Sequence, residues 1–431
     1  MRITRKAAGA AAATATIALV LTACSSGDST ESGDGEGGDV TLTVAWWGND
    51  DRAAKYEESI DLFEEANPDV TVQTQFQAWD DYWTARNTEA AGQSLPDVFQ
   101  MDLSYLRQYG STGQLADLAG SSIDTSGFEE ALLSSGQIES AQYGIPTSQN
   151  TLALFYNGDL LDEVGIEPPA AGYTWEDVNA FAAEVSEAGA DMDPQVYGTG
   201  DYTGTFWFFL QWLIQQGTEP FTEDGQIAFD EAQMTEFLNL ASDLRDSDAL
   251  FPAERTTQLL PLGGFTVNEA ASEMSWDNFL AGYISDSGTE NIQMLPMPSG
   301  DNGPQQFWKP SMLLSSGANS EHPEEAAALI DFLVNDPEVG RIFGTSKGVP
   351  AVAAQRDAME VEEGSVDATV LEYEESVAAD VTEPAPLPVE GFGSIEAEYK
   401  RLAEELGYGN ITVDEFVEQW FLFAADAVGQ S

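Results

Sequence analysis

Between Val40 and Phe76 the chain reads strand, helix, strand, and that order leaves it little choice of architecture. Val40-Thr41-Leu42-Thr43-Val44-Ala45-Trp46 is a β-rich run entered from a Gly-rich stretch. Tyr56, Ile60 and Phe63 follow at i, i+4 and i+7, the apolar face of a helix that Asn67-Pro68-Asp69 stops. Val70, Val72, Thr74 and Phe76 then alternate as a second strand. A helical crossover between neighbouring strands makes them parallel and lays helices on the faces of their sheet. Pro96-Asp97-Val98-Phe99-Gln100-Met101 predicts a further short strand.

A second α/β region begins after Tyr143-Gly144-Ile145-Pro146. Thr174-Trp175-Glu176-Asp177 predicts a capping box ahead of a helix that carries Val178, Phe181, Ala182 and Val185 on one face. Helices are predicted over Phe206 to Gln216 and Glu231 to Asp246. Pro323 opens another, with Ala326, Leu329, Ile330 and Leu333 inward, and Asn335-Asp336-Pro337 ends it. Thr412 with Glu415 caps the last helix, which bears Val413, Phe416, Val417 and Trp420. The fold class is α/β, in two lobes, and no sustained repeat points to a solenoid.

Charge removes whole classes of function. The 431 residues hold 75 Asp and Glu against 15 Lys and Arg, a formal net charge of −60. Such a surface lacks the cations that neutralise nucleic-acid phosphates, and it repels anionic lipid. An excess of surface acids suits high salt, where screening relieves self-repulsion. Hydrophobic residues at 42% nevertheless supply real cores. With His322 and Cys24 the only residues of their kinds, neither a His/Cys zinc site nor a disulfide framework is expected, and no cofactor.

Residues 1–23 read as a signal peptide: Arg2, Arg5 and Lys6 form a positive start, and Ala7 to Leu21 an apolar stretch short for a membrane span. Leu21-Thr22-Ala23-Cys24 resembles the lipobox of bacterial lipoproteins, which implies cleavage before Cys24 and its lipidation. A stray Cys in a secretory signal is the plainer alternative. Residues 24–39 are then the lipidated Cys and a flexible acidic Gly/Ser tether, reaching on the order of 20 Å. The expected picture is a monomeric globular body on a leash, outside the cell, on the extracytoplasmic face of the membrane.

Several segments in order resemble the extracellular solute-binding proteins, family 1 and carbohydrate-type, of bacterial ABC importers. They are Leu42-Thr43-Val44-Ala45-Trp46-Trp47-Gly48, Phe63-Glu64-Glu65-Ala66-Asn67-Pro68-Asp69-Val70, Gly92 with Pro96-Asp97-Val98, and Gly113-Gln114-Leu115-Ala116-Asp117-Leu118. Tyr143-Gly144-Ile145-Pro146, Leu154 to Leu161, Gly165-Ile166, Thr174-Trp175-Glu176, Pro323-Glu324-Glu325-Ala326 and Gly348-Val349-Pro350-Ala351 continue the pattern. The resemblance implies a two-lobed periplasmic-binding-protein-like fold of type II, with a ligand cleft between lobes joined by hinge crossovers. By that analogy residues 40–145 plus 298–345 form lobe 1, and 146–297 plus 346–431 form lobe 2. It also implies a carbohydrate ligand and permease subunits of an ABC transporter as partners, and no catalysis.

A sugar presents apolar C–H faces and a fan of hydroxyls, so its site needs aromatic platforms rimmed by Asp, Asn, Gln or Glu. Trp47 with Asn49, Gln77 with Trp79, and Asp102 follow the first three strands, at the edge where α/β sheets bind ligands. Gln149 and Asn150 come just after the expected hinge crossing. Trp276-Asp277 and Trp308 lie in segments that resemble the family's cleft-facing loops, and Phe392 near its late aromatic loop. Trp207 projects from the start of a helix. Each has a plainer reading: a helical Trp packs a core, and Asp277 serves as a turn or cap.

Two other functions stay open on the sequence. The same fold with aromatic and carboxylate groups suits a cation such as a polyamine. A secreted glycoside hydrolase also uses Trp platforms, but needs two carboxylates flanking the scissile bond, and no segment shows that context.

Overall fold

The computed structural model of the protein describes residues 40–429, save 223 and 301. The leader, Cys24 and the tether expected ahead of Val40 lie outside the described residues. Twelve strands are present among the described residues. They are β1 (Val40–Trp47), β2 (Val70–Gln77), β3 (Val98–Met101), the small hairpin β4 (Gln137–Ile138) and β5 (Ala141–Gln142), β6 (Ile145–Asn150) and β7 (Leu152–Asn157), then β8 (Ser272–Trp276), β9 (Ile292–Leu295), β10 (Gln306–Ser315), β11 (Val349–Pro350) and β12 (Val381–Pro384).

Seven strands make one sheet in the order β11-β6-β10-β3-β1-β2, with β12 alongside β10. The expected βαβ unit is there: β1 pairs parallel with β2 from Val40↔Val70 to Trp47↔Gln77, and β3 lies parallel on its other side. The long strand β10 enters antiparallel between β3 and β6. A second sheet of three strands runs β8-β7-β9, antiparallel throughout. The chain leaves the large sheet at Asn150 and enters the small one at Leu152, so Thr151 alone makes the crossing. β11 and β12, from the stretch 346–431, add to the large sheet.

Period-two alternation in β1 decides what lies on each face. Leu42, Val44 and Trp46 pack with Tyr56, Ile60 and Phe63 of the helix Asp50–Ala66 and with Ala326, Leu329, Ile330 and Leu333 of the helix Pro323–Asn335. Trp46 stacks on Tyr56 with centroids 4.6 Å apart. Ala45 and Trp47 face the other way, into a larger core with Tyr82 and Trp83.

Caps follow the sequence closely. Thr174 and Asp177 form a reciprocal capping box, and Thr412 and Glu415 exchange amide bonds of 2.9 and 3.3 Å. The helix predicted to Gln216 runs Phe206–Gln215. The helix predicted from Glu231 to Asp246 is broken instead into Glu231–Asn239 and Ser242–Asp246. The break frees the Leu238 carbonyl for the Arg245 guanidinium, which also pairs with Asp201 at 2.8 Å.

Ile60 fixes the first helix to the sheet and is 3% exposed. Ile60→Ala should lower unfolding free energy by about 2–5 kcal/mol, through lost burial and a residual cavity. The urea midpoint of the purified chain reads this directly.

Candidate functional site

The C-terminal ends of β1, β2 and β3 lie along one edge of the large sheet. Trp47 ends β1, and its ring meets Trp79 edge-on at 5.0 Å; Trp79 is 40% exposed. Trp83 backs both rings, and Tyr105 stacks on Trp83 at 3.8 Å. Asp102, immediately after β3, caps the helix Leu103–Ser111 by accepting from the Ser104 amide at 2.9 Å. That cap fixes one carboxylate oxygen and leaves the other aimed elsewhere.

The second oxygen of Asp102 faces Lys309 of β10, with Nζ to Oδ2 at 3.4 Å. The same ammonium lies 5.5 Å from the ring centroid of Trp207 and 5.5 Å from that of Trp276. Trp207 belongs to the helix Phe206–Gln215 and Trp276 ends β8, so they come from a different part of the chain than Trp47 and Trp79. They meet edge-on at 5.8 Å, with Phe307 beside both. Glu396, from the helix Phe392–Gly407, completes the cluster and hydrogen-bonds the Trp207 side chain. Burial and then the neighbouring Asp102 push its carboxyl up to about 7, against the pull of Lys309. Tyr105 closes the gap between the walls: a Cβ at Gly393 would sit 3.1 Å from its hydroxyl. Further along, Arg107 Nε donates to the Pro388 carbonyl at 2.9 Å, with Asp224 and Glu390 nearby.

Beside Lys309 in the sheet lie Asn150, its register partner, and Gln149, opposite Pro310. The Oε1 of Gln149 and Oδ1 of Asn150 are buried and accept no hydrogen bond from the described residues. Buried acceptors without donors are costly; Asn150 shares the face of Lys309, where a ligand hydroxyl would satisfy it, whereas Gln149 faces the other way, with Pro310 and Trp308.

Gln149 Nε2 donates to Glu374 Oε2 at 2.7 Å, and the Thr151 amide donates to Asp277 Oδ2 at 3.0 Å. The remaining oxygens, Asp277 Oδ1 and Glu374 Oε1, are both buried acceptors that face each other. Two carboxylates so placed cannot both ionise, and a single proton satisfies both. Burial drives the pair upward, Asp277 to about 7 and Glu374 well above the carboxylate range, so Glu374 carries the proton and Asp277 accepts it. The pair clamps the one-residue crossing between sheets.

The structure thus brings Trp47, Trp79, Asp102, Asn150, Trp207 and Trp276 to the side of the large sheet that carries the Asp102–Lys309 pair. Six other expected residues are elsewhere or differently used. Gln149 shares its face with Pro310 and Trp308, where its amide is bound to Glu374. Asn49 is exposed and caps the first helix by accepting from the Arg52 amide. Gln77 lines a shallow groove between β2 and the helix Trp79–Ala91. Asp277 is wholly buried at the crossing. Trp308 points from the opposite face of β10 to Phe307 and Lys309, into a core with Phe155 and Val370. Phe392 is wholly buried behind Trp207, at 5.4 Å between rings, because left-handed Gly391 turns the expected loop into a helix start.

Sequence reasoning missed Lys309, Glu396 and Tyr105 as parts of the region, and Glu374 as the partner of Asp277 at the crossing. Lys309 shares a strand face with Phe307, two residues earlier, and Glu396 lies one turn beyond Phe392. Among the described residues, no group of three metal-ligating side chains gathers, and no helix is long and apolar enough to cross a membrane.

Residues 58–365 match the sequence profile of the bacterial extracellular solute-binding proteins, and the chain belongs to that family. Members of the family hold solutes rather than convert them, and work outside the cytoplasm. A putative binding protein of Brucella abortus is 23% identical over 306 residues, 69% of this chain and 72% of its own length. An arabinooligosaccharide-binding protein of Bacillus subtilis is 25% identical over 234 residues, 53% of this chain and 52% of that one. Among solved structures, a periplasmic solute-binding protein of Pectobacterium atrosepticum superposes with a TM-score of 0.79 at 22% identity, over 91% of this chain and 99% of that one. An ABC substrate-binding protein of Listeria monocytogenes, in complex with cycloalternan, gives 0.76 at 21% identity over the same shares. These likenesses establish the two-lobed α/β solute-binding fold.

The shared proton at the crossing makes stability depend on pH. The folded chain keeps a proton that Asp277 and Glu374 of the unfolded chain release near their ordinary values of 3.8 and 4.5. Its contribution is therefore complete below about pH 4 and is lost progressively as pH rises above that toward the raised folded-state value of Glu374. Glu374→Gln preserves both hydrogen bonds without a titrating proton, so its urea midpoint should fall less than that of the parent chain between pH 5 and 8.

Proposed function

We propose that this protein captures a sugar or oligosaccharide outside the cell and hands it to the permease of an ABC importer. The observation that carries the reading is the Asp102–Lys309 pair, which joins the strand edge bearing Trp47 and Trp79 to the indoles of Trp207 and Trp276, from another part of the chain. Aromatic faces take the C–H faces of a pyranose or furanose ring, and charged groups bind its hydroxyls. Asn150 adds an acceptor without a donor of its own. Relatives lend support: the Bacillus subtilis protein is named for arabinooligosaccharides, and the Listeria structure holds cycloalternan.

In this reading 40–145 plus 298–345 and 146–297 plus 346–431 are the two lobes, and the work is their closure on the ligand about crossings such as Thr151. Arg107 against Pro388 is a contact that such closure would make and opening would break. Closure excludes water and presents the paired lobes to the transporter as a signal that the site is filled. The protein acts as a monomer, lipidated at Cys24 and tethered to the extracytoplasmic face of the membrane, and releases its sugar unchanged.

Neutral mono- and oligosaccharides, arabinose-, glucose- and galactose-based, are the panel for a thermal-shift screen. Binding only to the folded state adds about 2.7 kcal/mol at a hundredfold excess over the dissociation constant. A shift with one saccharide group, with the sugar recovered intact, supports the reading; conversion of the sugar to products overturns it. Trp79→Ala and Trp276→Ala should each weaken that sugar at least about tenfold, the loss of one aromatic platform of about 1.4 kcal/mol, measured by titration calorimetry.

A further inference from the structure

Two indole faces with two carboxylates between them form the constellation that recognises an ammonium ion. In a chain of net charge −60, which concentrates cations around itself, such a cage would attract every soluble amine. Here the cage is already filled by the protein. Lys309 Nζ lies 5.5 Å from each of the Trp207 and Trp276 ring centroids and 3.4 Å from Asp102, and its side chain is only 10% exposed. It has little freedom to leave. Its backbone lies inside β10, in register with Asn150, and β10 is paired on both sides.

We propose that Lys309 is a specificity determinant of the sugar site, a built-in cation that makes the cage accept neutral saccharides and reject cationic solutes. This rests on the sugar-binding reading above. A second ammonium entering the cage meets Lys309 at close range, while the carboxylate that would attract it is committed to Lys309. An anionic sugar fares poorly for the converse reason. Its carboxylate would have to take Lys309 from Asp102 in the presence of Glu396. A neutral hydroxyl meets neither obstacle, because it donates to Asp102 or Glu396 and accepts from Lys309 within the existing ion pair. The proton that Glu396 holds up to about pH 7 keeps the cluster close to neutral, which also suits an uncharged ligand.

The test compares the full mature chain with Lys309→Met, which keeps the length of the stem and removes the charge. Spermidine and glucosamine are the cationic probes, and N-acetylglucosamine and arabinotriose the neutral ones. Salt of about 0.3 M screens non-specific attraction to the acidic surface. Calorimetry should show no cation binding to the parent chain and at least tenfold tighter binding to Lys309→Met, with Trp276→Ala in that background abolishing the gain. Lys309→Gln is the second variant should Lys309→Met fail to fold. The proposal is overturned if the parent chain binds spermidine as tightly as the folded variant does, or if neither folded variant gains affinity for a cation. Failure of every neutral saccharide on the parent chain would instead defeat the sugar reading, and the cation comparison would still be read from its own titrations.

Discussion

A single residue, Thr151, carries the chain from one sheet to the other, and its amide is held by Asp277. Everything on the cleft is placed relative to that crossing. Gln149 and Asn150 precede it, Trp276 belongs to the strand that pairs just after it, and β10 brings Lys309 alongside Asn150. The hydrogen bond could not hold alone, because Asp277 is wholly buried and a lone buried carboxylate is costly. Glu374 resolves this by sharing a proton, and Gln149 orients Glu374 in turn. A polar chain thus runs from the residue that turns the backbone back into the end of the preceding strand, at Gln149.

The cleft and the surface follow opposite electrostatic rules. Outside, 75 acids dominate and repel one another. Inside, each carboxylate has a stated counterpart: Asp102 has Lys309, Asp277 has the proton of Glu374, and Glu396 has Trp207 and Lys309. Cations are scarce in this chain, and one of its 15 is spent where side chains are almost fully buried. That placement makes sense for a site whose own charges must cancel, since uncompensated charge there would be far more costly than on the surface.

Much of the architecture could be read from the sequence, because helix caps and strand alternation are local signals. Thr174, Thr412 and the run from Val40 to Phe76 carry their structure within a few residues. Positions at strand ends were also legible: Trp47, Trp79 and Asp102 lie at the sheet edge where strand order expects them. Trp308 was not, because alternation says that it opposes Phe307 and Lys309 but leaves open which face meets the cleft. That depends on partners far away in the chain, Trp207 and Trp276 among them. Phe392 was misplaced because one glycine, Gly391 at φ +78°, starts a helix where a loop was expected. Lys309 and Glu396 were overlooked because their meaning is collective: neither signals a site until the indoles and Asp102 surround it.

The indoles have an optical consequence. Trp207 and Trp276 sit against an ammonium and a carboxylate, while Trp79 is the indole left most open to water. Indole emission responds to nearby charge and to the polarity around the ring, so any solute that enters between them, or any opening of the walls, alters the light that they emit. The protein therefore carries its own dye at the proposed site, so that filling of that site is visible without a label.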